Sequence, residues 1–134
     1  MGFTTPCFIR KNTPELQKKL EELGYILYPD SELGGNKYLF AVNGMFDFAS
    51  NEKTLVILKS NYGYIDCRTN EKLFIAIAMK RDYLNANQYW VFDRDCLPLY
   101  KKGDFVIRFT PYHSCYCHIA TVEELIEHFK NEEK

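Results

Sequence analysis

Long hydrophobic runs are missing from this 134-residue chain. No uninterrupted apolar segment approaches the ~20 residues that a membrane-spanning helix needs. Met1 to Arg10 lacks the basic start and long apolar centre of a secretion signal, which implies a cytoplasmic protein without a membrane partner. Pro6 occupies the place where a myristoylation signal wants Ser or Thr, so Met1-Gly2 is a poor lipidation match. An excess of one charge is missing too. Lysine plus arginine number 17 and aspartate plus glutamate 18, and a net charge of -1 exerts no long-range pull on phosphate or anionic lipid. Gly34-Gly35-Asn36 lacks the lysine and downstream Ser or Thr of a P-loop, and neither a dinucleotide fingerprint nor a nucleophile elbow occurs. Solenoid periods are absent. No motif defines a reaction, and no cofactor is implied.

What is present is enough for one α+β domain spanning 1–134, large enough to bury a core without disulfides or a structural metal. Five cysteines is an odd number, and without a secretion signal Cys7, Cys67, Cys96, Cys115 and Cys117 read as reduced, small apolar side chains. Aromatics depart most from ordinary usage: 16% of residues, with ten Tyr, ten Phe and one Trp. Phe belongs mostly inside. Tyr can cover its ring while its hydroxyl stays wet, so a tyrosine excess suits a binding face as well as the margin of a small core.

The chain is organised around 66–84. Leu73 to Met79 carries no polar side chain, and a helix apolar all round must be surrounded by protein. Periodicity alone leaves a strand open for so short a run, with Ile75 and Ile77 in it; capping decides for a helix, since Thr69 or Asn70 can cap its first turn, Glu71 suits the positive end, and Lys80 and Arg81 suit the far end. Before it, Phe3 to Arg10 reads as a strand with Cys7 and Ile9 on one face, and Pro6 predicts an edge position or a late start. Thr13-Pro14-Glu15 opens an amphipathic helix with Leu16, Leu20 and Leu23 on its stripe and Gly24 at its end. Tyr25 to Tyr28 reads as a short strand. Asn43-Gly44 predicts a tight hairpin between Lys37–Val42 and Met45–Ala49. Thr54 to Leu58 and Tyr62 to Cys67 read as strands, as does Gln88 to Phe92. Cys96–Tyr100 and Phe105–Phe109 read as a second hairpin around 101–104, with Pro98 on an edge strand. A last helix begins at a Thr121/Glu124 capping box, with Leu125, Ile126 and Phe129 as its apolar face and 130–134 as a tail. Three times a cysteine-bearing β-like segment leads into a threonine cap: Cys7 to Thr13, Cys67 to Thr69, Cys117 to Thr121. The sum is a mixed or mostly antiparallel sheet with about three helices, the central one buried.

The one cluster with suitable elements for chemistry is His113-x-Cys115-x-Cys117-His118. Thiolates and imidazoles are zinc ligands, but strong zinc signatures separate paired cysteines by two residues. On an extended segment His113, Cys115 and Cys117 share a face about 7 Å apart, too far for neighbours to ligate one ion without a bend. Cysteine nucleophilia needs a base, which His113 or His118 could supply, together with a lowered thiol pKa; Cys67 sits before a helix N-terminus, opposed by Asp66. A buried cysteine face is the simpler reading. Asp93-Arg94-Asp95 could hold a divalent cation or serve as a carboxylate pair, but charges at a turn after an apolar strand read more simply as a solvated bend, with Arg94 neutralising either neighbour. Arg10, Lys11, Lys18 and Lys19 beside tyrosine rings could hold a single-stranded nucleic acid, a reading that the net charge does not favour.

Several stretches carry a resemblance: 3–16, Gly24-Tyr25, Ile65 to Phe74, and the closing Ala120-Thr-Val-Glu-Glu-Leu-Ile-Glu-His-Phe129. They resemble a family of short uncharacterised proteins encoded by phages and mobile elements of intestinal bacteria. The family tends to carry Gly after the central cysteine, where this chain has Arg68. The resemblance implies a small cytoplasmic accessory protein and no assigned activity. Combined with the aromatic content, the expectation is a non-enzymatic module that binds a host or element-encoded protein through a sheet edge and exposed aromatics such as Tyr112, Tyr116 and Trp90. The alternatives are single-stranded nucleic-acid binding, or a metal site or enzyme built from His113, Cys115, Cys117 and His118.

Overall fold

The computed structural model of the chain describes residues 5–27, 37–42, 44–81, 89–95, 98–107 and 117–130. Strand β1 (Cys7–Ile9) is buried along its whole length. It lies between the later strands β3 and β5, so Pro6 marks a late start and not an edge, and its carbonyl accepts the Ile65 N–H (2.9 Å). Helix α1 (Pro14–Glu22) begins as its residues dictate: the Thr13 hydroxyl accepts the Leu16 N–H, and proline fills the first position. Leu16 and Leu20 are buried, and Gly24 (φ +98°) turns the chain out of the helix. The buried Tyr25 then donates its hydroxyl proton to the Ala78 carbonyl (2.8 Å), tying the end of α1 to the end of the central helix.

Strand β2 is short (Ile26–Leu27). The hairpin of β3 (Tyr38–Val42) and β4 (Met45–Ala49) forms around Gly44 (φ +81°), with Val42 opposite Met45. Helix α2 (Glu52–Tyr62) replaces the strand expected at Thr54–Leu58. Asn51 caps it by accepting the Thr54 N–H (2.9 Å), and Gly63 closes it in the left-handed conformation (φ +71°). Those two stops outweigh the β-branched run between them; Leu55 and Leu58, one turn apart, face the sheet, and Val56 and Ile57 face water. The strand expected from Tyr62 shrinks to β5 (Ile65–Asp66), because Tyr62 belongs to α2.

Helix α3 (Glu71–Ala78), continued by a 3-10 turn at Met79–Arg81, is the interior helix that its composition demands; Leu73, Phe74, Ala76, Ile77 and Ala78 are buried. Its cap is Asn70 and not Thr69, so the threonine pattern holds at the first and last helices only. Strand β6 (Tyr89–Phe92) pairs with both β7 (Phe105–Ile107) and β8 (Cys117–Ile119), antiparallel in each case. The second hairpin is therefore corrected. β7 lies on β6, Pro98 and Leu99 form a turn, and residues 96–97 fall outside the described residues. Helix α4 (Val122–Phe129) shows the expected capping box between Thr121 and Glu124. Leu125 and Phe129 are buried on it, whereas Ile126 is exposed, since it stands one position round from that stripe.

The described residues thus form four helices and two sheets, of order β2-β4-β3-β1-β5 and β7-β6-β8, mostly antiparallel. The main core joins Cys7, Ile9, Leu39, Ala41 and Phe46 of the larger sheet to Leu16 of α1, Phe74 and Ile77 of α3, Val91 of β6 and Leu125 of α4. α2 covers the opposite face through Phe8, Ala49 and Leu55. No described helix is long and apolar enough to cross a membrane.

Candidate functional site

Of the residues singled out between 112 and 118, Tyr112, His113, Cys115 and Tyr116 lie outside the described residues. Cys117 and His118 lie on β8, where successive side chains point to opposite faces. Cys117, opposite Phe92, is buried in a small outer cluster with Trp90, Tyr100 and Val106 around it. Trp90 is half-buried in that cluster, so its ring is packing more than contact surface. His118, opposite Val91, lies on the face that meets α4. These two members of the expected cluster therefore do not converge. Among the described residues no group of three or more His, Cys, Asp or Glu is arranged to hold a metal ion.

His118 instead sits between two carboxylates. Its Nδ1 is 2.6 Å from Asp93 Oδ1, and its Nε2 is 2.9 Å from Glu124 Oε1. Partial burial works against the charged ring, but the hydrogen bonds to Glu124 and Asp93 outweigh it and raise its pKa above 6.5. The arrangement pins the end of β6 and the start of α4 to β8. Asp95 is engaged separately, accepting the Lys102 N–H (2.9 Å), so 93–95 does not present a carboxylate pair.

The thiol before α3 is turned into the core. Cys67 is buried, and a hydrogen bond with Cys7, reinforced by burial and the charge of Asp66, pushes its pKa well up, against any help from the helix terminus. Arg10 is equally committed. Its guanidinium donates to Asp66 (2.9 Å) and to Glu52 (2.6 Å), locking the start of α2 onto β1 and β5 and leaving that cation out of any nucleic-acid stripe.

Two surfaces remain. On the α2 side of the larger sheet, register places Ile26, Met45 and Val42 in one row across β2, β4 and β3, with Phe40 in the next. α2 covers the other half of this face. Ile26 stays 59% exposed at the sheet's edge and Met45 is exposed beside it. The outer side of α2 adds Val56, Ile57 and Tyr62, the last 66% exposed. Sequence reading could not find this row, because adjacency of Ile26 and Met45 depends on a parallel pairing across residues 28–44.

The second surface is a groove of about 780 Å³ among α1, α3, α4 and β6. Ile75, Ala76, Met79, Tyr89 and Phe129 form its apolar floor, with the Tyr89 and Phe129 rings edge to face at 5.4 Å. Lys11, Lys19, Lys72, Thr69 and Glu71 complete the lining, and Lys11 is ion-paired to Glu71 (2.5 Å). Lys11 and Lys19 belong to the basic group Arg10, Lys11, Lys18 and Lys19 that the sequence offered for single-stranded nucleic acid; that Tyr89 lines the same groove was not readable. No protein-family model, curated protein or solved structure matches this chain.

Proposed function

We propose that the protein is a non-enzymatic α+β module that binds a partner protein, acting as an accessory factor of the phage or mobile-element kind that its sequence resembles. The observation that carries this reading is the half-covered sheet face: Ile26 and Met45 stand exposed in one row with Val42, at the sheet's edge strand. A folded domain gains by burying such side chains, and exposed apolar surface next to a strand that has no outer neighbour among the described residues suits a partner docked by strand addition or face packing. The apolar outer side of α2, ending at Tyr62, extends the same side of the molecule. The burial of Cys67 and the separate engagement of His118 and Arg10 support a binding role over a catalytic one.

The test is affinity capture from host lysate with the wild-type chain and an I26E/M45E variant, both shown to have the same circular dichroism spectrum. A stoichiometric partner held by the wild type and released by the variant supports the proposal. Equal capture by both places the interaction elsewhere and removes the argument.

A further inference from the structure

The groove among α1, α3, α4 and β6 plays no part in that protein-binding face. We propose that it is a binding site for a small amphipathic organic anion, a molecule with an alkyl or aryl body and one acidic headgroup. Its volume of about 780 Å³ falls within the range typical of small-molecule sites. Its two halves differ in chemistry. The floor is apolar and partly aromatic, built by Ile75 and Met79 at the end of the central helix and by Tyr89 and Phe129 from β6 and α4. Among the described residues the rim carries three lysines against one glutamate, an excess of positive charge on a chain whose net charge is -1. An anion with an apolar body satisfies both halves at once, and a neutral apolar molecule or a bare inorganic anion satisfies only one.

The interior of the groove sharpens the argument. Lys72 and Tyr89 both line the groove, so a cation and a hydroxyl border the same apolar floor; burial raises the Tyr89 phenol and the charge of Lys72 works against that rise. Lys11 is held by Glu71, the acid at the start of α3. Glu71 thus occupies the position that a ligand headgroup would take, and an entering acid exchanges with it at Lys11. Removing the Glu71 charge should therefore strengthen binding, the opposite of what a structural ion pair alone would predict.

The experiment uses the full chain and anilinonaphthalene sulfonate as fluorescent probe, with decanoate and decanol as competitors and amide NMR shifts to locate the site. Saturable binding is expected, displaced by decanoate at least about tenfold more effectively than by decanol. A K19Q/K72Q variant should bind about tenfold more weakly, and E71Q about threefold more tightly, with unchanged melting curves. Shifts should cluster at Ile75, Met79, Tyr89 and Phe129. The proposal is overturned by unsaturable binding, by equal competition from decanol, or by lysine variants that bind like wild type. It is equally overturned by shifts confined to Ile26, Met45 and α2, or by displacement with an oligonucleotide or acidic peptide but not with decanoate. Loss of protein capture in the I26E/M45E variant would leave this site untouched, so the two readings fail separately.

Discussion

Asn70 holds the start of one helix to the end of another: its Nδ2 donates to the Phe129 carbonyl (2.7 Å) while its Oδ1 accepts the Leu73 N–H (3.0 Å). It is only 4% exposed, the one buried side-chain amide among the described residues. A buried amide is tolerated where both of its ends are satisfied, and here the two bonds join the N-terminus of α3 to the last turn of α4. Replacing Asn70 with Ala removes a cap and leaves a buried carbonyl without its donor, so N70A should cost about 2 to 4 kcal/mol. N70D restores a capping oxygen but loses the donor to Phe129. It should recover less than half of that loss in urea denaturation; wild-type stability for N70D would mean that the inter-helix bond contributes nothing.

Phe74 is fully buried in the main core, between the larger sheet and the α4 side. F74A should destabilise by about 3 to 5 kcal/mol, since little around an interior ring can collapse into the space. Val56, 57% exposed on the outer side of α2, gives the contrast: V56A should change stability by less than about 0.5 kcal/mol. Chemical denaturation curves for the pair decide whether α3 is the organising element.

Arg68 occupies the left-handed region (φ +55°), a conformation that favours glycine. Its N–H donates to Asp66 Oδ1 (2.9 Å), an Asx-type turn that bends the chain from β5 toward α3. A side chain in this conformation costs about 1 kcal/mol relative to glycine. R68G should therefore leave stability unchanged or raise it by up to about 1 kcal/mol, whereas R68V, β-branched at positive φ, should lower it and depress Tm.

The His118 cluster makes stability depend on pH with a defined sign. Its folded pKa is raised above 6.5, so the added stability is fully present below 6.5 and is lost as pH rises through the folded value. Glu124 runs the other way. Burial opposes its charge, but the Thr121 N–H and His118 hold its pKa below 4.5, so its contribution is lost on acidification through that lower value. H118Q should therefore be destabilised relative to wild type near pH 5.5 and match it near pH 8.5. All three side chains are at least a third exposed, so solvent screening keeps the difference within about 1 kcal/mol. A stability gap of the same size at both pH values would show that the ring acts by packing and not by charge.

Readability from the chain followed the reach of each interaction. Thr13 with Pro14, and Thr121 with Glu124, close their contacts within one turn, and those helix starts were readable. The same locality made Asn43-Gly44 a readable hairpin signal, and β3 pairs with β4 on either side of it. Thr54–Leu58 misled because a short β-branched run has no period of its own; the punctuation that decides it, Asn51 and Gly63, stands outside the run. The apolar composition of 73–79 required an interior segment, and the capping residues at 69–71 with Lys80 and Arg81 at the far end favoured a helix over a buried strand. Which cap it used was less plain, because Thr69 and Asn70 are chemically alike at that position, and what separates them is the amide donor that reaches the Phe129 carbonyl.

The linear chain thus settled the starts of the first and last helices, one hairpin and the α+β class, and its capping residues pointed to an interior central helix. Folding alone decided that β7 lies on β6, that Cys117 and His118 face apart, and that Ile26 stands beside Met45. It also gathered Lys11, Lys72, Tyr89 and Phe129 around one groove. Those are contacts between residues tens of positions apart, such as His118 with Asp93, 25 residues away. Their partners are selected by competition for the same buried space, and no local pattern records the outcome.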